Sequence, residues 1–322
     1  MSPLLSFIAK RVLQAIPLIF VTIIITFILV HAAPGDPTYI LTGEIGDEEF
    51  VKMLRAKFGL DRPLHEQFVI YLWNVLRGDL GYSYIKGASV SKLILERIPA
   101  TMILVITGMT LAVIIGIPIG IILAIRRDVI GTLLSFLSLL GVSTPYFWLG
   151  QMLLIIFALI LGLFPVGGMI DVKAGHQGLD YFLDLLHHLT LPAVTLAIFN
   201  IAYIARITRA SLIEALNQNY IVTARAKGLS ERTVLLKHAL RNALLPVTTY
   251  TGLTIGVLLV GAILTETIYS WPGMGLLLYE ALRLRDYPVV LGVFIYGSII
   301  VIVANLIVDI LYAILDPRIR IR

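Results

Sequence analysis

The stretch NQNYIVTARAKGLSERTVLLKHALRN, Asn217 to Asn242, decides how the rest of this chain is read. It is polar and basic, and it lies between two apolar segments, each long enough to cross a bilayer. Asn219 to Lys227 fits about two helical turns, which Gly228 ends as a residue free to adopt the left-handed conformation. Ser230 then offers an N-cap, with Glu231 in the first turn of a second helix. On that helix Leu235, Leu236, Ala239, Leu240, Ala243 and Leu244 are expected to form one apolar face, with Lys237 and Arg241 on the other. A short helix, a sharp turn and an elbow helix entering a span make an element built to touch something outside the membrane. The small residues Ala224 and Gly228 are expected to let another protein's backbone approach. The competing reading is a basic connection that obeys the rule of membrane topology or lies on lipid.

The flanking composition fixes the class. The chain has 322 residues, 58% hydrophobic and 14% charged, with apolar runs recurring along its length, so it reads as an all-α polytopic membrane protein in contact with lipid. The net charge of +5 follows from basic loops and does not call for a nucleic-acid partner. With no cysteine, disulfides, thiolate metal sites and cysteine nucleophiles are excluded. At about 20 residues per span, six spans are expected: Val12 to His31, Thr101 to Ile125, Leu133 to Leu161, Leu189 to Thr208, Leu245 to Thr265, and Val289 to Leu315. The first has no cleavage pattern behind it, only Pro34 and Pro37, and is read as an uncleaved span. Lys10, Arg11, Arg126, Arg127, the seven Lys/Arg from Arg206 to Arg241, and Arg318, Arg320 and Arg322 all fall on one side, the expected cytoplasm, with both termini.

The organisation is thus a tail and first span (1–31), an external segment (32–100), and a five-helix core (101–322) carrying the basic loop at 209–244. In the external segment Glu48 to Phe58 and His65 to Leu76 read as short amphipathic helices, separated by turns at Pro34 to Pro37, Gly59 to Pro63 and Arg77 to Gly81. It is either a solvated cap or a surface for an external partner. Among polar groups within the spans, His31, Asn200, Glu266, Asn305 and Asp309 are expected near span ends, within reach of water or headgroups. Gly141, Pro145, Gly150, Pro118 and Gly252 punctuate the spans and permit kinks and close packing. There is no G-x-x-x-x-G-K-[ST] phosphate loop, so no ATP or Mg site is expected in this chain. His187 and His188 are adjacent, with Asp184 the nearest carboxylate, and read as a solvated loop. No catalytic constellation is present.

TARAKGLSERTVLLKHALRNALLP, Thr223 to Pro246, resembles the EAA loop of ABC importer permeases in its dipeptide/oligopeptide form. Measured from Gly228, the chain keeps the family's second Ala (Ala224) and its Leu (Leu240). It has Val222 for the Glu, His238 for the aliphatic and Arg241 for the Pro. AKRVLQAIPLIFVTIIITFILVHAAPGDP, FGLDRPL, RGDLGYSY, ERIPATM, STPYFWLG, LPAVTLA, ETIYSWPGMG, RDYP and VDILYAILDPRIR follow in the order of such a permease, over essentially the full length.

The resemblance implies a type I (MetI-like) permease fold of six transmembrane helices in a prokaryotic cell membrane, working by alternating access. It also implies a second homologous permease, two cytoplasmic ATP-binding subunits that hold ATP and Mg, and an extracytoplasmic solute-binding protein. Tyr220, Thr223, Ala224, Arg225, Lys227 and Gly228 would form the ATPase-coupling element. Glu266, Trp271, Pro272 and Gly273 would belong to an outer gate or vestibule, with an interfacial Trp anchor as the competing account. Di- or oligopeptides are the expected cargo, with oligosaccharides, nickel complexes or glutathione as alternatives. A self-sufficient secondary carrier or channel is the rival from another class. It would call for internal repeats or mid-membrane charges, and neither is evident.

Overall fold

The computed structural model describes residues 3–32, 49, 52–53, 55–56, 59, 61–126 and 128–315. The turn expected at Pro34 to Pro37, most of the helix expected at Glu48 to Phe58, and Arg127, Arg318, Arg320 and Arg322 lie outside the described residues, as do the side chains of Lys10, Arg11 and Asp309. In chain order the elements begin with α1 (Pro3–Ala32), α2 (Leu64–Leu76), and an antiparallel hairpin of β1 (Tyr82–Ser83) and β2 (Ala88–Ser89). Next come α3 (Val90–Ile125), α4 (Val129–Ser143) and α5 (Tyr146–Ile160). α6 (Leu179–Leu216) and α7 (Asn219–Ala226) lead to α8 (Glu231–Val260). α9 (Ile263–Ile268), α10 (Met274–Arg283) and α11 (Tyr287–Leu315) complete the order.

α3, α6, α8 and α11 are long and apolar enough to cross a membrane, and α4 with α5 makes a fifth span if the pair is taken together. α1 carries a shorter apolar stretch, Ile16–Leu29. Six is therefore reached only by counting both α1 and the pair. The expected span Leu133 to Leu161 is this pair, and the kink that Pro145 permits is a full break, with α4 and α5 meeting at a bend of 100°. Thr144 is extended (φ −80°, ψ 126°) and Pro145 begins the next helix. A proline ring disfavours helical backbone in the residue before it, so an apolar run that looks continuous is cut there. Other boundaries move as well. α6 begins at Leu179, ten residues before the expected start, and α3 begins at Val90 inside the segment expected to be an external loop. Helix continues past lipid because hydrogen bonding along the helix does not depend on the bilayer.

The chain divides into two compact units, neither of them contiguous in sequence. One contains residues 1–101, 259–263 and 272–302. Its core is made by Val90 and Ile94 at the start of α3, Met274, Leu277 and Leu278 of α10, and Val289, Val290 and Val293 of α11. Gly292 sits against this core so tightly that a Cβ there would meet Val90 Cγ1 at 2.3 Å.

The other unit contains residues 102–258, 264–271 and 303–322, and α6 is its axle. Gly116 and Gly120 of α3, four residues apart, leave no room between the helices. Added Cβ atoms would lie 3.0 Å from Ile201 O and 2.7 Å from Ala205 O of α6. Small residues at this spacing let two membrane helices meet backbone to backbone, where dispersion and weak hydrogen bonds replace the missing hydrophobic drive. Gly141 of α4 and Gly150 of α5 approach the same helix, at Ala202 and Thr195.

Candidate functional site

The basic stretch folds into a rigid corner. α7 ends at Ala226, Lys227 caps it, and Gly228 takes φ +74°. Gly228 N–H donates to Arg225 O (2.9 Å) and Leu229 N–H to Ala224 O (3.4 Å), the paired bonds that close a helix through a left-handed residue. Ser230 then accepts a hydrogen bond from the Thr233 N–H, as its position in the sequence predicts. Arg225 bridges the turn with two bonds to Glu231, Nε to Oε1 at 2.8 Å and Nη2 to Oε2 at 3.1 Å. The hydrogen bonds raise the guanidinium pKa and lower the carboxyl pKa. Both side chains are exposed, so the pair orients the turn more than it stabilises it.

Behind the turn lies a small apolar core. Leu212 and Ala215 of α6, Ile221 and Ala224 of α7, and Val234, Ala239 and Ala243 of α8 pack together. Ala224, 5% exposed, therefore points into its own chain. The expectation that it is small to admit another protein is corrected. Gly228 is favoured by its φ of +74°, which an L side chain rarely adopts, and a Cβ there would meet nothing of this chain within 4 Å. With Ile221 and Ala224 turned inward, Tyr220, Val222, Thr223, Ala226 and Lys227 are exposed on the free side of α7.

The elbow helix departs from the expected face in a specific way. Val234 to Ala239 is a π-helical turn, in which Leu240 N–H bonds to Leu235 O, five residues back. The extra residue shifts the phase, so the buried positions run Val234, Ala239, Ala243, Val247, and Leu236 is exposed. A strict 3.6-residue period does not reveal such an insertion.

The second candidate stretch begins where α8 breaks. Gly261 takes φ +146°, and a Cβ there would stand 2.5 Å from Gly275 N. Only glycine fits, and the helix stops at Val260 short of the expected Thr265. α9 then closes on a left-handed Ser270 (φ 48°), with Trp271 N–H donating to Glu266 O at 2.8 Å. Glu266 and Trp271 are both 0% exposed. The expectation that Glu266 reaches water at a span end is corrected, and a fully buried Trp271 does not act as an exposed interfacial anchor. In the other unit, Gly273 is buried just before α10, beside a half-buried Pro272, and Met274 N–H donates to Thr101 Oγ1 at 2.8 Å.

Several residues escaped the sequence reading. The Tyr269 hydroxyl donates to Gly150 O and lies 2.8 Å from Thr195 Oγ1, fastening α9 to α5 and α6. Ser83 donates to the buried Asp286, and Lys86 Nζ lies 2.6 Å from Glu280 Oε2, tying the hairpin to α10 and the turn after it. Burial pushes the Asp286 carboxyl pKa up, partly offset by the bonds from Ser83 and the Val289 N–H and by Lys86. Asn200, 5% exposed, is in the middle of α6 and not near a span end as expected. Its amide donates to Leu196 O and its oxygen accepts from the Tyr250 hydroxyl at 2.8 Å. Partners 50 to 203 residues away leave no local signal, whereas the four-residue spacing of Gly116 and Gly120 in the α3 seam is visible in the sequence. The imidazoles of the adjacent histidines turn to separate acceptors, His187 Nε2 to Leu163 O and His188 Nδ1 to Asp184.

Against known proteins, residues 116–321 match the family model described as binding-protein-dependent transport system inner membrane component, and residues 4–105 match its N-terminal companion. The dipeptide transport system permease protein DppB of Escherichia coli K12 is 41% identical, covering 98% of this chain and 99% of that protein. The oligopeptide transport system permease protein AppB of Bacillus subtilis strain 168 is 40% identical over the same shares. Among solved structures, an inward-facing form of the MetNI methionine ABC transporter superposes on 70% of this chain and 96% of its own. The TM-score is 0.51 and the identity 18%, a likeness of fold.

Proposed function

The chain belongs to the family of binding-protein-dependent transport system inner membrane components, and we propose that it forms half of the translocation pathway of an ATP-driven importer of di- or oligopeptides. The observation that carries this reading is the corner at α7. Its inner face is cemented by Ile221 and Ala224 into the chain's own core, while Tyr220, Val222, Thr223 and Lys227 stand free on a short rigid helix. Such a helix passes on a push without absorbing it.

In this reading the corner faces the cytoplasm with both termini and rests on one of two ATPase subunits, which hold ATP and Mg. A second homologous permease completes the pathway, and a solute-binding protein delivers cargo from outside. ATP binding closes the ATPases, α7 moves with them, and the spans switch access from one side to the other; hydrolysis resets them. Glu266, Trp271, Pro272 and Gly273 belong to the outer gate. Peptide cargo is supported by the two relatives, alike over nearly their whole length, whose names specify dipeptide and oligopeptide transport.

The test is reconstitution of this chain in vesicles with the second permease, the ATPases and the binding protein. ATP-dependent accumulation of labelled dipeptide is expected. Neither ATP hydrolysis nor accumulation is expected from the isolated chain. Accumulation by the isolated chain under an ion gradient would establish a secondary carrier instead. Uptake of oligosaccharide, nickel complex or glutathione in preference to peptide would reassign the cargo. Val222→Glu and Thr223→Trp, on the free side of α7, should abolish ATPase attachment while leaving membrane insertion intact.

A further inference from the structure

The open faces of the membrane helices are of two kinds. α4 exposes Leu133, Phe136, Leu137 and Leu140, and α3 exposes Met102, Ile106, Ile114 and Ile115, all compatible with lipid. α6 exposes a different row. Phe199 is half-buried, and Tyr203, Arg206 and Ala210 are exposed at spacings of three and four, one stripe along the helix. α6 is also the most enclosed span, with 61% of its apolar window buried. Its 38 residues extend about 57 Å, and Asn200 lies within about 4 Å of the midpoint, Tyr203 within about 8 Å. A phenol part-way along an open stripe of a central helix is a poor partner for hydrocarbon, and Arg206, the first of the basic residues on the expected cytoplasmic side, stands at the inner end of the same stripe.

The stripe is also pre-arranged. Tyr203, 40% exposed, stacks on Tyr250 of α8 at 5.2 Å between centroids and 7° between planes. Asn200 holds the Tyr250 hydroxyl at 2.8 Å, which fixes the ring behind Tyr203. Phe199 continues the row, 5.6 Å from Tyr203 and 6.3 Å from Tyr146 of α5. The Asn200 amide, buried at membrane depth, thus serves to orient an aromatic wall whose free ring presents both a face and a hydroxyl.

We propose that Tyr203, flanked by Phe199 and Arg206 and backed by Tyr250, lines the solute path and contacts peptides there. The rings take apolar and aromatic side chains by stacking, the Tyr203 hydroxyl bonds main-chain amides, and Arg206 attracts the terminal carboxylate. This rests on the peptide-importer reading and adds the residues that meet the cargo.

The experiment uses the assembled importer in vesicles and exploits the absence of native cysteine in this chain. Tyr203→Cys and the lipid-side control Phe136→Cys are exposed to a charged methanethiosulfonate reagent, and modification of this chain is followed by intact mass. Tyr203→Cys should react much faster than the control, and peptide-loaded binding protein with ATP should slow it. Reaction no faster than Phe136→Cys would overturn the proposal, since the stripe would then be covered by lipid or by the second permease. Uptake supplies an independent measure. Tyr203→Ala should lower uptake of a Phe-containing dipeptide about threefold to tenfold more than that of diglycine, while Tyr203→Phe keeps the stacking preference. Equal losses for both peptides would overturn the contact. Normal peptide uptake with an unreactive Tyr203→Cys rejects this inference alone; a reactive Tyr203→Cys in an importer that carries no peptide rejects the cargo and leaves the path lining standing.

Discussion

The hairpin region and the α7 corner are both joined to their spans, and they are held by different forces. At the hairpin, polar groups far apart in sequence meet: Ser83 with Asp286, Lys86 with Glu280, Thr101 with the Met274 N–H. At the corner, a handful of small apolar side chains does the work, and its one ion pair, Arg225 with Glu231, lies in solvent. A buried polar contact is directional and admits one arrangement, whereas an apolar core tolerates small shifts but not charge or bulk.

Substitutions should separate the two. The largest effect is expected from Ala224→Glu, which places an unpaired carboxylate in the corner's core at a cost of about 3 to 5 kcal/mol. The loss should appear in the isolated chain, as protease cleavage near Gly228 and earlier thermal unfolding in detergent. Normal stability of the isolated variant, with failure only in the complex, would break the comparison by returning Ala224 to a partner contact.

Next comes Asp286→Ala, which takes the acceptor from the buried Ser83 hydroxyl hydrogen at about 1 to 3 kcal/mol, the hydroxyl oxygen still accepting from the Lys86 N–H. Its readout is increased thiol labelling of a probe Cys at Ser89 on β2. The same carboxyl sharpens the contrast through pH. Its folded pKa lies above the ordinary carboxylate value, so the folded state holds the proton more tightly than the unfolded one. The resulting stabilisation is fully present below the unfolded pKa and is lost as pH rises through the folded pKa. Melting temperature should fall across that interval in the native chain and fall less in Asp286→Asn.

A smaller effect is expected for Gly228→Ala, where open space leaves only the backbone cost of a left-handed alanine, about 1 kcal/mol. The smallest belongs to Arg225→Ala. Its exposed pair should leave thermal unfolding unchanged in detergent, and a clear drop would mean that electrostatics, not the apolar core, holds the corner.

The corner was legible because its signals are local. Gly228 and Ser230 announce a stop and a start within three residues, and the structure puts the left-handed turn and the cap at those positions. What could not be read depends on partners distant in sequence or on phase. The π-turn at Val234 to Ala239 moves Leu236 outward without any change in residue type. Pro145 was recognisable as a break, but its 100° bend is set by where α4 and α5 pack, at Ala202 and Thr195 of α6. Glu266 at the end of an apolar run looks like a residue bound for water. Its burial is evident only once α9 turns back through Ser270.

The glycine seam between α3 and α6 has a mechanical consequence. With Gly116 and Gly120 pressed against carbonyl oxygens of the neighbouring helix, and Gly108 against Ala193 O and Leu196 higher up, there is less than a methyl group of play at three levels. Two rods in such contact transmit thrust without slipping. Leu212 and Ala215, near the end of α6, share a core with α7, so a displacement delivered at the corner enters α6 and takes α3 along in the same stroke. Within the unit they share, α6 and the Gly108 to Gly120 length of α3 thus form one stiff body.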